Sequence, residues 1–128
     1  MTIGGTPLEI PTLPEMLRIK GVLILKRNAT RDYLDFVALA GGMEDPKLAC
    51  ALEPMDRLYP QPNGESALQQ LQIQLATPRP YDLEEVSLSE YKDLEPRWQD
   101  WGNVEAACEE VAIKIADIGR GNDRSMRP

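Results

Sequence analysis

Five charged residues near the start of the chain, Lys20, Arg27, Arg31, Asp32 and Asp35, have the types and spacing that could do chemistry. A helix opening at Leu13 places Leu13, Met16, Leu17, Leu23 and Ile24 on one face at about 100° per residue. Lys20 falls in the middle of that apolar stripe and Arg27 lies one heptad further along it, while Glu15, Arg18 and Lys26 take the opposite side. A lysine so placed must snorkel, shed its charge or meet a carboxylate, because desolvating an unpaired ammonium is costly. If the chain turns back after Arg27, Asp35 returns towards Lys20. That arrangement has two readings: a structural ion pair at a helix–helix contact, or a phosphate-binding or acid–base Lys/Asp pair on the rim of a cleft.

The elements that must position these groups are two helices and a turn. Thr12 with Glu15 three residues on forms a capping box, and Pro14 suits the first helical turn. Asn28-Ala29-Thr30 breaks the helix. Thr30 is placed to cap the next one, with Asp32 and Asp35 in its first turns, where the helix dipole favours negative charge. Gly41-Gly42 stops that second helix.

Composition narrows the chemistry. The net charge of −7 argues against a free-standing nucleic-acid binder, since phosphate contacts need clustered Lys and Arg. The balance is uneven, however: up to Asp35, five bases face four acids, a small basic focus in an acidic chain. With no histidine anywhere, a Ser-His-Asp triad and a Cys-His couple are excluded. Cys50 and Cys108 match no metal-ligand spacing and read as small buried apolar groups in a reducing cytoplasm. No apolar run approaches a membrane span and the start lacks the layout of a signal peptide, so no membrane association and a cytoplasmic location are expected.

Along the rest of the chain, Pro7 to Pro11 reads as a short extended segment. Asp45-Pro46 restarts helix as cap and first-turn proline, and Pro54 ends or kinks it. Tyr59 to Gly64 is a loop, and Ser66 to Ala76 is helical with Leu68, Leu71 and Leu75 on one stripe. Pro78, Pro80 and Pro96 bracket an acidic connector holding one or two helical turns, anchored by Leu83, Val86, Leu88, Tyr91 and Leu94. Tyr81 and Tyr91 read as packed side chains with satisfied hydroxyls. Asp100 caps a last helix, Trp101 to Ile118, whose stripe is Val104, Ala107, Cys108, Val111, Ala112, Ile115 and Ile118, with Gly119 as its stop. Trp98 and Trp101 are expected to pack at the start of that helix rather than to stack nucleic-acid bases.

Two blocks carry a resemblance. Lys20, Arg27, Arg31-Asp32-Tyr33-Leu34-Asp35 and Leu39 resemble a signature of the AbiEii/AbiGii-type nucleotidyltransferase toxins and their uncharacterised bacterial relatives. Pro80-Tyr81-Asp82-Leu83, Leu88 to Leu94, Trp98-Gln99-Asp100-Trp101, Val104 and Cys108 look like the C-terminal segment of those relatives. The resemblance implies that Lys20 contacts nucleotide phosphates and Asp35 orients it as the catalytic pair, with Arg27, Arg31 and Asp32 completing a nucleotide-binding wall. The glycine-rich element and metal-binding acids of that family have no counterpart in this sequence, so the chain looks like a C-terminal portion, truncated or split, with no catalysis alone. Mg2+ and a nucleoside triphosphate would act only with a complementary half, and RNA would be met only through a complex. The other function considered is a non-enzymatic helical adaptor or regulatory binding protein.

The expected architecture is mainly α: a small bundle of about five helices with a short N-terminal extended strand. Residues 1–12 form the extended segment, 13–120 the helical domain and 121–128 a flexible tail. The strand would offer an edge to a protein partner or to a second copy of the chain.

Overall fold

The computed structural model describes residues 2–3, 6–7, 12–88, 91 and 94–125, with side chains over 12–88, 91 and 94–118. It is mainly helical, as expected. Among the described residues the α-helical runs are α1 (Leu13–Arg27), α2 (Thr30–Gly41), α3 (Asp45–Leu52), the single turn α4 (Met55–Leu58), α5 (Ala67–Ala76) and α6 (Trp101–Ser125). Short 3-10 turns cover Pro62–Gly64, Leu83–Glu85 and Pro96–Gln99.

Local chemistry accounts for most of the boundaries. The Glu15 N–H donates to Thr12 Oγ1 at 3.3 Å, so Thr12 caps α1, and the Glu15 carboxylate accepts from the Thr12 hydroxyl at 3.1 Å, where a full capping box would have it accept from the Thr12 backbone N–H. Asn28 ends α1 in the left-handed region (φ 49°), which asparagine tolerates better than most residues. Pro54 separates α3 from α4. Ser66 caps α5 by accepting from the Gln69 N–H at 3.0 Å, and Asp56 holds both the Ser66 hydroxyl and the Leu68 N–H. Asp100 accepts from the Gly102 N–H at 2.8 Å at the start of α6.

α1 and α2 pack against each other as an antiparallel hairpin, α5 crosses α1, and α6 runs across α5 and α2. Gly21 marks the closest approach. A Cβ there would stand 3.0 Å from Leu71 Cδ2, 3.5 Å from Phe36 Cε2 and 3.7 Å from Met55 Cε. The core therefore centres on Leu17, Ile24, Phe36, Met55 and Leu71, all fully buried.

Several expectations change. On α1 the buried residues are Leu17, Gly21 and Ile24, whereas Leu13, in the first turn, is 59% exposed. α6 continues through Gly119 to Ser125; one glycine weakens a long helix without stopping it unless the left-handed cap forms. Cys108 is buried but Cys50 is exposed on the outer side of α3. At the N-terminus, Thr2–Ile3 and Thr6–Pro7 pair with each other as an antiparallel ribbon (Thr2 opposite Pro7, Ile3 opposite Thr6). Residues 8–11 of the extended segment expected over 7–11 lie outside the described residues. Among the described residues, no helix is long and apolar enough to cross a membrane.

Candidate functional site

The five charged residues gather on the α1–α2 hairpin as two separate pairs. Lys20 Nζ sits 3.0 Å from Asp35 Oδ2, bridging the seam between the helices, and Arg31 Nε lies 3.8 Å from the same oxygen from one turn earlier on α2. Lys20 and Asp35 keep 27% and 33% of their side-chain surface, and Arg31 keeps 71%. The lysine has thus met a carboxylate and also reached the surface with its tip, as its long stem allows. Partly hydrated on both sides, this pair is worth little. The double change Lys20→Met, Asp35→Leu is expected to leave the unfolding free energy within about 1 kcal/mol of the parent chain. Chemical denaturation would check it; a loss of several kcal/mol would mean that the pair organises the hairpin.

The second pair is of another kind. Asp32 is fully buried in the first turn of α2, and its carboxylate is clasped by Arg27 from the last turn of α1, with Nε to Oδ2 at 3.2 Å and Nη2 to Oδ1 at 2.5 Å. The hydrogen bond to Asp32, followed by its charge, raises the Arg27 pKa above its ordinary value. A bidentate guanidinium fits a carboxylate edge to edge, so the fork fixes the direction in which the chain leaves the α1–α2 turn.

A third acid, Asp82, completes the junction from the connector. The N-terminal residue of α2 was expected to be capped by Thr30; instead Ala29 occupies the cap position and has no side chain able to do it. Asp82 reaches in across the fold, and its Oδ1 accepts from both the Thr30 N–H and the Thr30 hydroxyl at 2.8 Å. Desolvation pushes the Asp82 pKa up, but the two bonds from Thr30 outweigh it and hold the carboxyl below its ordinary range. Beside it, Asn28 Nδ2 donates to the Arg79 carbonyl at 2.9 Å, and the Tyr81 N–H donates to the Asn28 carbonyl at 3.0 Å. The hydroxyl of the buried Tyr33 donates to Asn28 Oδ1, and burial pushes the Tyr33 pKa above its ordinary value. The Tyr33 ring meets Trp101 edge-on at 6.3 Å, which ties the junction to the start of α6.

Asp82 was visible in the sequence only as one residue of an acidic connector. Nothing in its spacing marked it as a cap, because the helix it serves lies some fifty residues earlier. Tyr81, expected to pack, is 72% exposed; it is its backbone that engages Asn28. Leu88, Tyr91 and Leu94 do pack against the core. At the junction Asp82 answers Thr30, Asn28 answers Tyr33, Arg27 answers Asp32 and Lys20 answers Asp35. Among the described residues, no group of three or more Cys, Asp and Glu side chains is placed to hold a metal ion.

Comparison with known proteins points away from nucleotide chemistry. No family model matches the chain. No solved structure matches it. Among curated proteins, the heme uptake protein MmpL11 of Mycobacterium tuberculosis is 36% identical over 118 residues, 91% of this chain and 12% of that protein. The mycolic acid-containing lipids exporter MmpL11 of Mycolicibacterium smegmatis is 36% identical over 115 residues, 88% of this chain and 12% of the relative. The probable transport protein MmpL11 of Mycobacterium leprae is 34% identical over 118 residues. The chain thus spans about an eighth of the length of the relatives it matches.

These matches overturn the resemblance to AbiEii/AbiGii-type nucleotidyltransferase toxins, and with it the reading of a truncated or split nucleotidyltransferase. They lend no support to the adaptor reading either. A motif such as Arg31-Asp32-x-x-Asp35 is short, and charged residues at helix spacing recur wherever two helices pair their surfaces. Here that spacing is explained by the hairpin: Asp35 answers Lys20 and Asp32 answers Arg27.

Proposed function

We propose that this chain is a transport-related segment: a folded helical portion, outside the bilayer, of a transport protein similar to MmpL11. One observation carries the reading, the 36% identity that extends over 91% of the chain. Two structural features accord with it. No helix among the described residues is long and apolar enough to cross a membrane, and the charged residues of the α1–α2 junction are engaged with one another. On this reading the segment serves transport through its shape and surface, not through a reaction.

The test uses the mycobacterial lipid exporter. Its matching segment is removed, and the present chain is then grafted in its place. Removal is expected to lower export of mycolic acid-containing lipids by at least tenfold at equal protein abundance, and the graft is expected to restore it. Full export after removal would sink the proposal, as would a well-expressed, folded graft that restores none.

A further inference from the structure

We propose that the outward face of α1 docks on the surface of an anionic lipid bilayer, with Ile19 and Leu23 entering the headgroup layer and Lys26 and Arg31 meeting the lipid phosphates. The inference rests on the transport reading, which sets the chain beside a membrane.

α1 carries more apolar surface than the bundle covers. Its buried line is Leu17, Gly21 and Ile24. At about 100° per residue Met16, Ile19 and Leu23 make a second line, roughly 130° round the helix from the first. Ile19 is 40% exposed, and Met16 and Leu23 are half-buried and stand outside the core cluster. A helix that is apolar on more than one side calls for a second cover besides its own bundle.

The charges beside this line say what that cover is. Lys26 lies on one flank, and Lys20 and Arg27 on the other, where Arg31 of α2 joins them. The fully exposed charges of α1 and α2 are Lys26, Arg27 and Arg31 against Glu15, in a chain whose net charge is −7. Asp32 answers Arg27 from a buried position, and Asp35 is shared by Lys20 and Arg31. Lys26 has no ion pair among the described residues, so two positive charges are left over beside the C-terminal half of the line. Glu15 stands about three turns earlier, at the other end of the helix. An apolar ridge flanked by long cationic side chains fits a lipid interface: the ridge enters the yielding headgroup layer while the cations reach its phosphates. Each Lys or Arg near an anionic leaflet adds attraction, whereas lysine is depleted where proteins meet.

The 128-residue chain is mixed with vesicles of equal parts phosphatidylglycerol and phosphatidylcholine, and the bound fraction is read by sedimentation. Binding is expected to be about tenfold stronger than to phosphatidylcholine alone, and to weaken as salt is raised. Ile19→Glu and Lys26→Glu should each lower it about tenfold, and both side chains are exposed, so the core is spared. Ile113→Glu, at an exposed apolar position of α6, should leave it unchanged. Circular dichroism confirms that each variant is folded. No binding, equal binding to neutral vesicles, unchanged binding in a folded Ile19→Glu or Lys26→Glu variant, or an equal loss in Ile113→Glu would each overturn the proposal. So would a chain that ignores vesicles yet self-associates in light scattering until Ile19→Glu is introduced, which gives the face to a protein instead. The export graft is read without vesicles, so failure here leaves the transport reading standing.

Discussion

Phe36→Ala is expected to lower the unfolding free energy by about 3–5 kcal/mol, the range for truncating a fully enclosed aromatic ring. The ring has no exposed surface and sits where α1 comes close to its neighbours over Gly21. The same crossing makes Gly21→Val costly for the opposite reason. Its Cβ would already stand 3.0 Å from Leu71 Cδ2, so added methyls overpack the contact, by about 1–3 kcal/mol. The two changes should not add. With the Phe36 ring gone, the valine grows partly into the vacated space, and the double variant should be more stable than the sum of the single losses by about 1 kcal/mol or more. Urea unfolding of the four proteins of the cycle measures this. Losses that add to within about 0.5 kcal/mol would show that Gly21 and Phe36 do not share one packing space.

How much of this was legible beforehand follows from where each signal resides in the chain. Helices announce themselves locally: the Thr12 cap, the Pro54 break and the Ser66 cap depend on neighbours within four residues, and all three appear in the structure. The stripe of α6, from Val104 through Cys108, Val111 and Ala112 to Ile115, is likewise buried as its period requires. What the sequence could not disclose are the contacts made across the fold. Gly21 drew no reading from the sequence, and its place under Leu71 of α5 shows only in the fold. Asp82 reads as one more acid of a connector until Thr30 is found beneath it. Lys20 and Asp35 were correctly paired, yet their spacing could not tell a partly hydrated seam from a cleft rim. The resemblance to a nucleotidyltransferase motif filled that gap with chemistry which the likeness to transport proteins then removed.

Arg27→Ala should destabilise the chain far more than the exposure of the arginine would imply. Arg27 keeps 54% of its side-chain surface, while its partner Asp32 keeps none. The two ends of this bond therefore face different alternatives. An arginine that loses its aspartate swings into water; a buried aspartate that loses its arginine remains desolvated and unanswered, the costly way to break an ion pair. The buried N–H and hydroxyl of Thr30 at the start of α2 offer it no replacement, since both are already given to Asp82. Replacing both partners with apolar groups of similar size, Arg27→Met with Asp32→Leu, removes that penalty and should return the urea midpoint to near that of the parent chain. A single Arg27→Ala variant as stable as the parent would refute the asymmetry. The same pair of variants bears on function when carried into the exporter graft. If the segment serves transport by its folded form, the apolar double should restore lipid export although two of the five candidate charges are gone, and the stable Lys20→Met, Asp35→Leu graft should do the same. A double variant that folds as the parent does but leaves export lost would return chemistry to this junction, because shape alone would then have been preserved without effect.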